Sequence, residues 1–259
     1  FMDSLVQWFT ANLSGVISKE AIIFIISMIP ILELRGGLLA ASPALLNVPI
    51  LRAIPICIVG NILPIPFILL LSIVLWFFGY NAVTSKYSVY ASNILHKDYN
   101  LTLIIAQAAA IVSYLPVGFI ASKAGRKKTI LAGVVMLTTA FTVAAFLNAE
   151  SPTMLMNAMF ALAGIAWATI NVNSFPMVVE LASGGDVGKY TGFYYTASMA
   201  AQVVTPVLAG TLMRSISYKI LFPYAAVFVS LSFVTMCFVR HGDGKAEAKT
   251  GLSAFEDID

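Results

Sequence analysis

The chain has 259 residues, of which 59% are apolar and only 10% are charged, and its mean hydropathy is +0.91. A soluble domain of this size has too little interior for so much apolar surface, so the composition predicts a multi-pass protein of the cell membrane that contacts the lipid bilayer. The formal net charge of +3 is small, and no basic run is interleaved with aromatic residues, which excludes nucleic acid as a partner. The two cysteines lie far apart in apolar runs, so neither indicates a metal site.

The first long apolar segment, Ala21 to Ala41, is interrupted by a proline and by a glycine pair. Such breaks are tolerated at membrane depth only where protein or water satisfies the freed backbone groups, so we expect a broken or re-entrant helix. Glu33 and Arg35 are its only charges, and an isolated charge in the bilayer costs at least about 2.5 kcal/mol, so they are expected to pair or to face water. Asn61, in the following proline-rich stretch, is expected to cap or line the same break.

Beyond a span expected at Ile62 to Phe78, the polar residues of 80–100 predict an extramembrane loop and a domain boundary. Five further apolar stretches joined by short polar turns predict transmembrane helices at Leu101 to Ala121, Thr129 to Leu147, Thr153 to Leu181, Tyr190 to Met213 and Lys219 to Val239. Residues 241–259 are charged and lack apolar periodicity, which predicts a disordered tail. The expected fold class is therefore all-α integral membrane, with about seven transmembrane or re-entrant helices.

Lysine and arginine residues are distributed unequally between the two ends of these predicted helices. More of them share an end with the turn Ser122 to Lys128 than lie at the opposite end. Because cytoplasmic loops are enriched in these residues, the turn and the C-terminus are both expected in the cytoplasm.

The segment Gly118 to Lys128, which contains this turn, combines glycines with a cluster of cations: Gly118, Lys123, Gly125, Arg126 and Lys127. An ordinary positively charged cytoplasmic loop has this composition. The order of the residues also resembles the loop motif of the major facilitator superfamily, with Ser122 where that motif has an aspartate. The resemblance implies that these residues form part of a cytoplasmic gate latch.

A second stretch, Gly164 to Glu180 followed by Gly188 to Tyr195, resembles the tenth helix and the next turn of sugar and cation symporters in the same superfamily. The resemblance covers about residues 87–243, and it implies that residues 101–240 form five helices of a C-terminal transporter half. Polar side chains at membrane depth either line a cavity or form hydrogen bonds between helices, and aromatic rings either stack on a sugar or pack. The candidate substrate-binding residues are Trp167, Asn171, Asn173, Ser174 and Tyr194.

Glu180 lies near the expected cytoplasmic end of its helix. We expect it to pair with Lys123 or Arg126 as a gate latch, because opposite charges at a shared interface stabilise one gate conformation. A role as an intramembrane proton carrier is the alternative.

The front of the chain resembles a different family. Pro30 to Gly37 and Gly60 to Pro66 are similar to two signature stretches of a small multidrug export family, over about residues 5–78. The resemblance implies a separate domain with broken helices, expected at residues 1–79.

These features predict a secondary transporter component that moves a small solute, with a sugar as the expected class, by ion-coupled alternating access and without a cofactor. No Walker-type loop and no nucleophile with a nearby base occur, so an enzyme is not expected. Because five helices of one half enclose no central cavity, a second chain that completes the bundle is a further expectation. The alternatives are a small multidrug exporter, a non-transporting scaffold or an inactive fusion.

Overall fold

The computed structural model of the chain describes residues 2–29, 31–62, 64–182 and 186–239. Over these residues it contains ten α-helices and no β-sheet: α1 Met2–Leu13, α2 Lys19–Met28, α3 Glu33–Ala41, α4 Ile50–Ile62, α5 Pro64–Tyr90, α6 Asn100–Ala124, α7 Arg126–Ala145, α8 Thr153–Val179, α9 Val187–Ser215 and α10 Leu221–Phe238. A π-helical turn, Ala91–Leu95, follows α5, and a 3-10 turn, Tyr218–Ile220, precedes α10. The tail predicted at 241–259 lies outside the described residues.

Six helical stretches in the described part of the chain are long and apolar enough to cross a membrane: Ile50–Leu95, Asn100–Ala124, Arg126–Ala145, Thr153–Val179, Val187–Ser215 and Tyr218–Phe238. The last five agree with the predicted spans to within a few residues, because spans of about 20 apolar residues between charged turns are a strong local signal. The predicted all-α membrane fold is confirmed.

The chain divides into two compact units. Within the described residues, the first unit runs to Leu69 and also includes Phe238 and Val239, and the second runs from Leu70 to Cys237. The boundary therefore lies inside α5, earlier in the chain than the expected loop.

The stretch 80–100, expected as a loop, is mostly helical, since α5 runs through it and passes directly into the π-helical turn. Its polar side chains are compatible with a helix because they bond to their own backbone. The Ser85 hydroxyl donates to the carbonyl of Asn81 at 2.6 Å, and the Thr84 hydroxyl donates to that of Tyr80 at 3.3 Å. Side-chain polarity alone was a misleading signal here.

In the first unit the predicted break is present, with α2 ending at Met28 and α3 beginning at Glu33. Gly37 of α3 packs against Ser27 of α2 and Cys57 of α4, and a β-carbon at Gly37 would lie 2.6 Å from the Cys57 sulfur. At 10 and 9 residues, α2 and α3 are each shorter than the roughly 20 residues that cross a bilayer. The broken helix is confirmed, and its re-entrant placement in a membrane stays a prediction.

In the second unit α5 packs with α8 and α10. The Ser72 hydroxyl donates to the hydroxyl of Thr235 at 2.7 Å, and the rings of Phe78 and Phe228 stack with centroids 5.4 Å apart. Residues Leu70 to Phe78 of the expected span therefore belong to the same compact unit as α6–α10, whereas its residues up to Leu69 belong to the first unit.

Close backbone contacts place α8 against α6 and α7. Gly164 of α8 has no room for a β-carbon against the backbone of Ala106, and a β-carbon at Gly133 of α7 would lie 3.0 Å from the carbonyl oxygen of Ala166. Small residues at such crossings allow the van der Waals packing that drives helix association in membranes.

Candidate functional site

One end of the bundle contains the sharp connection between α6 and α7. Only Gly125 separates the last residue of α6, Ala124, from the first residue of α7, Arg126. Gly125 has φ +95°, a conformation that side chains with a β-carbon rarely adopt. The turn predicted at Ser122 to Lys128 is therefore a single glycine. Gly118, the first residue of the motif segment, lies inside α6, as the predicted span Leu101 to Ala121 has it, and a β-carbon there would meet no atom within 4 Å.

Arg126 forms an ion pair with Glu180, the C-terminal cap of α8. The predicted contact is confirmed, and of its two candidate cations it is Arg126 that meets the carboxylate. Lys123 places its Nζ 4.3 Å from the centroid of the Phe119 ring in its own helix. The Arg126 and Glu180 side chains are 18% and 31% exposed, so water only partly screens the pair.

Lys127 connects the same end of α7 to α10. Its Nζ donates to the carbonyl oxygen of Cys237 at 3.0 Å, in the last turn of α10. The last carbonyls of a helix have no partner within the helix, and a cation there also complements the helix dipole. Arg126 and Lys127 thus link three helices at one end of the bundle.

The predicted substrate-binding cluster lies on α8 and α9, and part of it is already hydrogen-bonded. Asn173 is buried and donates to the carbonyl oxygen of Thr169 at 2.8 Å. The hydroxyls of Ser174 and Tyr194, both buried, lie 3.2 Å apart and join α8 to α9. Asn171 is half-buried. Such hydrogen bonds within and between helices are expected if these polar side chains stabilise helix packing. Substrate binding by these residues stays a prediction.

Trp167 is half-buried and stacks on Tyr80 of α5, with ring centroids 3.8 Å apart and the planes 2° from parallel. Phe77 contacts the same indole edge-on at 5.2 Å. Sequence reasoning missed Tyr80 because it begins the stretch that was expected to be a loop. The apolar residues Val83 and Tyr87, at helical spacing after it, were the signal that could have identified it.

A cavity of about 360 Å³ lies between α5, α6, α7 and α8, and Tyr80 lines it. Its polar lining groups are Tyr80, Thr84 and Gln107. The rest is apolar, with a wall of small residues and two aromatic rings: Ala106, Ala163, Gly164, Phe141 and Phe160. The predicted substrate-binding residues do not line this cavity, and Trp167 reaches it only through its contact with Tyr80.

The structure does not bring the two charges predicted to pair in the front segment, Glu33 and Arg35, to each other. Both lie in the first turn of α3, two residues apart, and residues at that spacing do not face each other on a helix. Glu33 is half-buried, whereas Arg35 is exposed. Asn61 is half-buried at the end of α4, and its predicted role in lining the break stays a prediction.

Comparison with known families gives a match for residues 68–256 to the family model described as the Major Facilitator Superfamily. The match begins within α5 and includes α6–α10, so it takes in the six-helix bundle and most of the chain. No curated protein matches the chain.

Proposed function

Because the chain belongs to the Major Facilitator Superfamily, a family of membrane secondary transporters, we propose that it moves a small solute by ion-coupled alternating access. In this mechanism two bundles rock against each other around a solute site. The helices α5–α10 supply one bundle, and a second chain supplies the other. The chemistry requires a solute and a coupling ion, and no cofactor.

The ion pair between Arg126 and Glu180 is the observation that supports this proposal most directly. With Lys127 it links α7, α8 and α10 at one end of the bundle. Both side chains keep part of their exposure to water, so each charge can be hydrated when the pair breaks. Such a contact can break and re-form when this end opens and closes, which suits a gate better than a permanent brace.

The same end contains the other residues of the proposed gate. Gly125 permits the sharp change of direction between α6 and α7, and Lys123 and Gly118 lie in the last two turns of α6. This end also carries more cations than the opposite one, so we place it, together with the C-terminus, in the cytoplasm.

A sugar is the solute class that the resemblance of α8 implies. Asn173 and Ser174 are buried and already bonded, and the Trp167 ring is stacked on Tyr80. A sugar would therefore reach these groups only in a second conformation of the bundle, in which the stack between α5 and α8 has opened.

The test is uptake by the purified full chain in liposomes under an imposed proton gradient. The solutes are radiolabelled maltose, sucrose, benzanilide and tetraphenylphosphonium, which represent sugars, a neutral aromatic amide and an aromatic cation. We expect gradient-dependent uptake of at least one solute, slower in Glu180→Gln and unchanged in Lys128→Gln, an exposed cation at the same helix end. Uptake equal to that of empty liposomes for all four solutes would contradict the proposal.

A further inference from the structure

The cavity between α5, α6, α7 and α8 has a lining that restricts what it can hold. No charged side chain is among the described residues that line it. An ionic ligand would therefore lose its hydration without gaining an opposite charge, which is costly in an apolar setting. The occupant that this lining favours is electrically neutral.

The polar groups of the cavity are few. Thr84 already donates its hydroxyl hydrogen to its own helix. In the part of the chain that the structure describes, the amide of Gln107 and the hydroxyl of Tyr80 form no hydrogen bond. A sugar needs a partner for each of its many hydroxyls, and this lining offers too few to replace water.

Gln107 points to a ligand more specifically. It lies seven residues into α6, which is about 10 Å along the helix at 1.5 Å per residue. A side-chain amide at that depth of a membrane span is normally satisfied by a neighbouring polar group. The Gln107 side chain is exposed along the open part of the cavity and forms no hydrogen bond with the described residues, so its amide is available to a carbonyl or hydroxyl group of a ligand.

The shape of the cavity completes the description. The backbones of α6 and α8 touch at Ala106 and Gly164, so the side chains there are small. The rings of Phe141 and Phe160 also line the cavity and favour contact with another aromatic ring. A volume of about 360 Å³ lies within the range of roughly 300–1,000 Å³ typical of sites for drug-sized ligands.

We propose that this cavity binds a neutral, largely apolar molecule that has an aromatic ring and one carbonyl or hydroxyl group bonded to the Gln107 amide. This cavity is separate from the residues of α8 and α9 to which the sugar proposal applies. That its occupant is also transported rests on the proposed function, whereas binding to the cavity is tested separately.

The binding probe is tritiated benzanilide, which is neutral and has two phenyl rings and one amide. The full chain is placed in lipid nanodiscs, and empty nanodiscs give the partition of the probe into the bilayer. We expect saturable binding that is displaced by unlabelled benzanilide but not by maltose or tetraphenylphosphonium. Thr84→Trp, at an exposed position that lines the cavity, should abolish the binding by filling the space.

Gln107→Leu should weaken benzanilide binding about fivefold, since it removes one hydrogen bond at nearly constant volume. Gln202→Leu is the matched control, because Gln202 is an exposed glutamine of α9 that does not line the cavity. It should leave the affinity unchanged.

Benzanilide binding equal to that of empty nanodiscs would overturn the inference, because it would mean that only bilayer lipid fills the cavity. Displacement of benzanilide by maltose or tetraphenylphosphonium as effective as that by unlabelled benzanilide would overturn it too. So would equal effects of Gln107→Leu and Gln202→Leu on benzanilide affinity. Saturable benzanilide binding without gradient-driven uptake of any solute would support the site and contradict the proposed function. Maltose uptake without benzanilide binding would support the proposed function and contradict the binding site.

Discussion

Arg126 and Glu180 form an ion pair although each charge lies at the helix end where it is least favourable. Arg126 is the first residue of α7 and Glu180 caps the C-terminus of α8. The N-terminus of a helix dipole favours an anion and the C-terminus a cation. The ion pair offsets the unfavourable helix-dipole interaction of each residue. This conformation is nevertheless less stable than it would be with the two charges exchanged.

The exchanged pair, Arg126→Glu with Glu180→Arg, should therefore be more stable than the original. It keeps the ion pair and reverses both dipole interactions, each of which contributes about 0.3–1 kcal/mol. We expect a higher melting temperature in detergent and slower solute uptake, because a more stable latch opens less often. Lys128→Glu changes the charge at the same end of α7 outside the pair and controls for the dipole effect alone. A melting temperature below that of the wild type would contradict the prediction.

Lys127→Met should loosen the end of α10. The substitution keeps an apolar chain of similar length but removes the donor to the Cys237 carbonyl. Losing about 1 kcal/mol of hydrogen bonding should speed amide hydrogen exchange in the last turn of α10 about fivefold. Lys123→Met is the control, since Lys123 contacts Phe119 in α6 and should leave α10 unchanged. Unaltered exchange in Lys127→Met would count against the cap.

Two glycines with opposite surroundings give a test of the packing. Gly164→Ala forces a β-carbon against the backbone of Ala106 and should destabilise the protein by about 1–3 kcal/mol. Gly118→Ala should be tolerated, because nothing lies within 4 Å of the added carbon. Thermal unfolding of the two variants in the same detergent provides the comparison. Equal melting temperatures would show that α6 and α8 are not in close contact at Gly164.

The orientation is tested with single cysteines in a background of Cys57→Ser and Cys237→Ser. Ala124→Cys and Ala246→Cys should resist a membrane-impermeant maleimide applied outside intact cells and react once the cells are opened. Ala149→Cys, exposed between α7 and α8 at the other end of the bundle, should react from outside. Labelling of Ala124→Cys from outside would reverse the proposed orientation.

The sequence was sufficient to predict the helices that cross the membrane after residue 100, because mean hydropathy over about 20 residues is a local property. It also predicted the break between Met28 and Glu33, since helix breakers act locally. It predicted that Glu180 meets one of two cations, Lys123 or Arg126, since opposite charges at one interface attract, but it did not decide between them. It failed at residues 80–100, where polarity indicated a loop and the structure has a helix. There the hydroxyls of Thr84 and Ser85 donate hydrogen bonds to backbone carbonyls of their own helix, and composition does not reveal such bonds.

Only the tertiary structure decided which helices are neighbours, and with them the candidate site. Tyr80 meets Trp167, and Lys127 reaches Cys237, across long separations in sequence. Hydropathy shows that a segment is apolar, but it does not show which face turns toward another helix. That choice depends on where small residues such as Gly164 allow two backbones to approach, and on which polar groups can bond once they have done so. The cavity beside Gln107 is lined by residues of four helices, so it could be recognised only after the chain was folded.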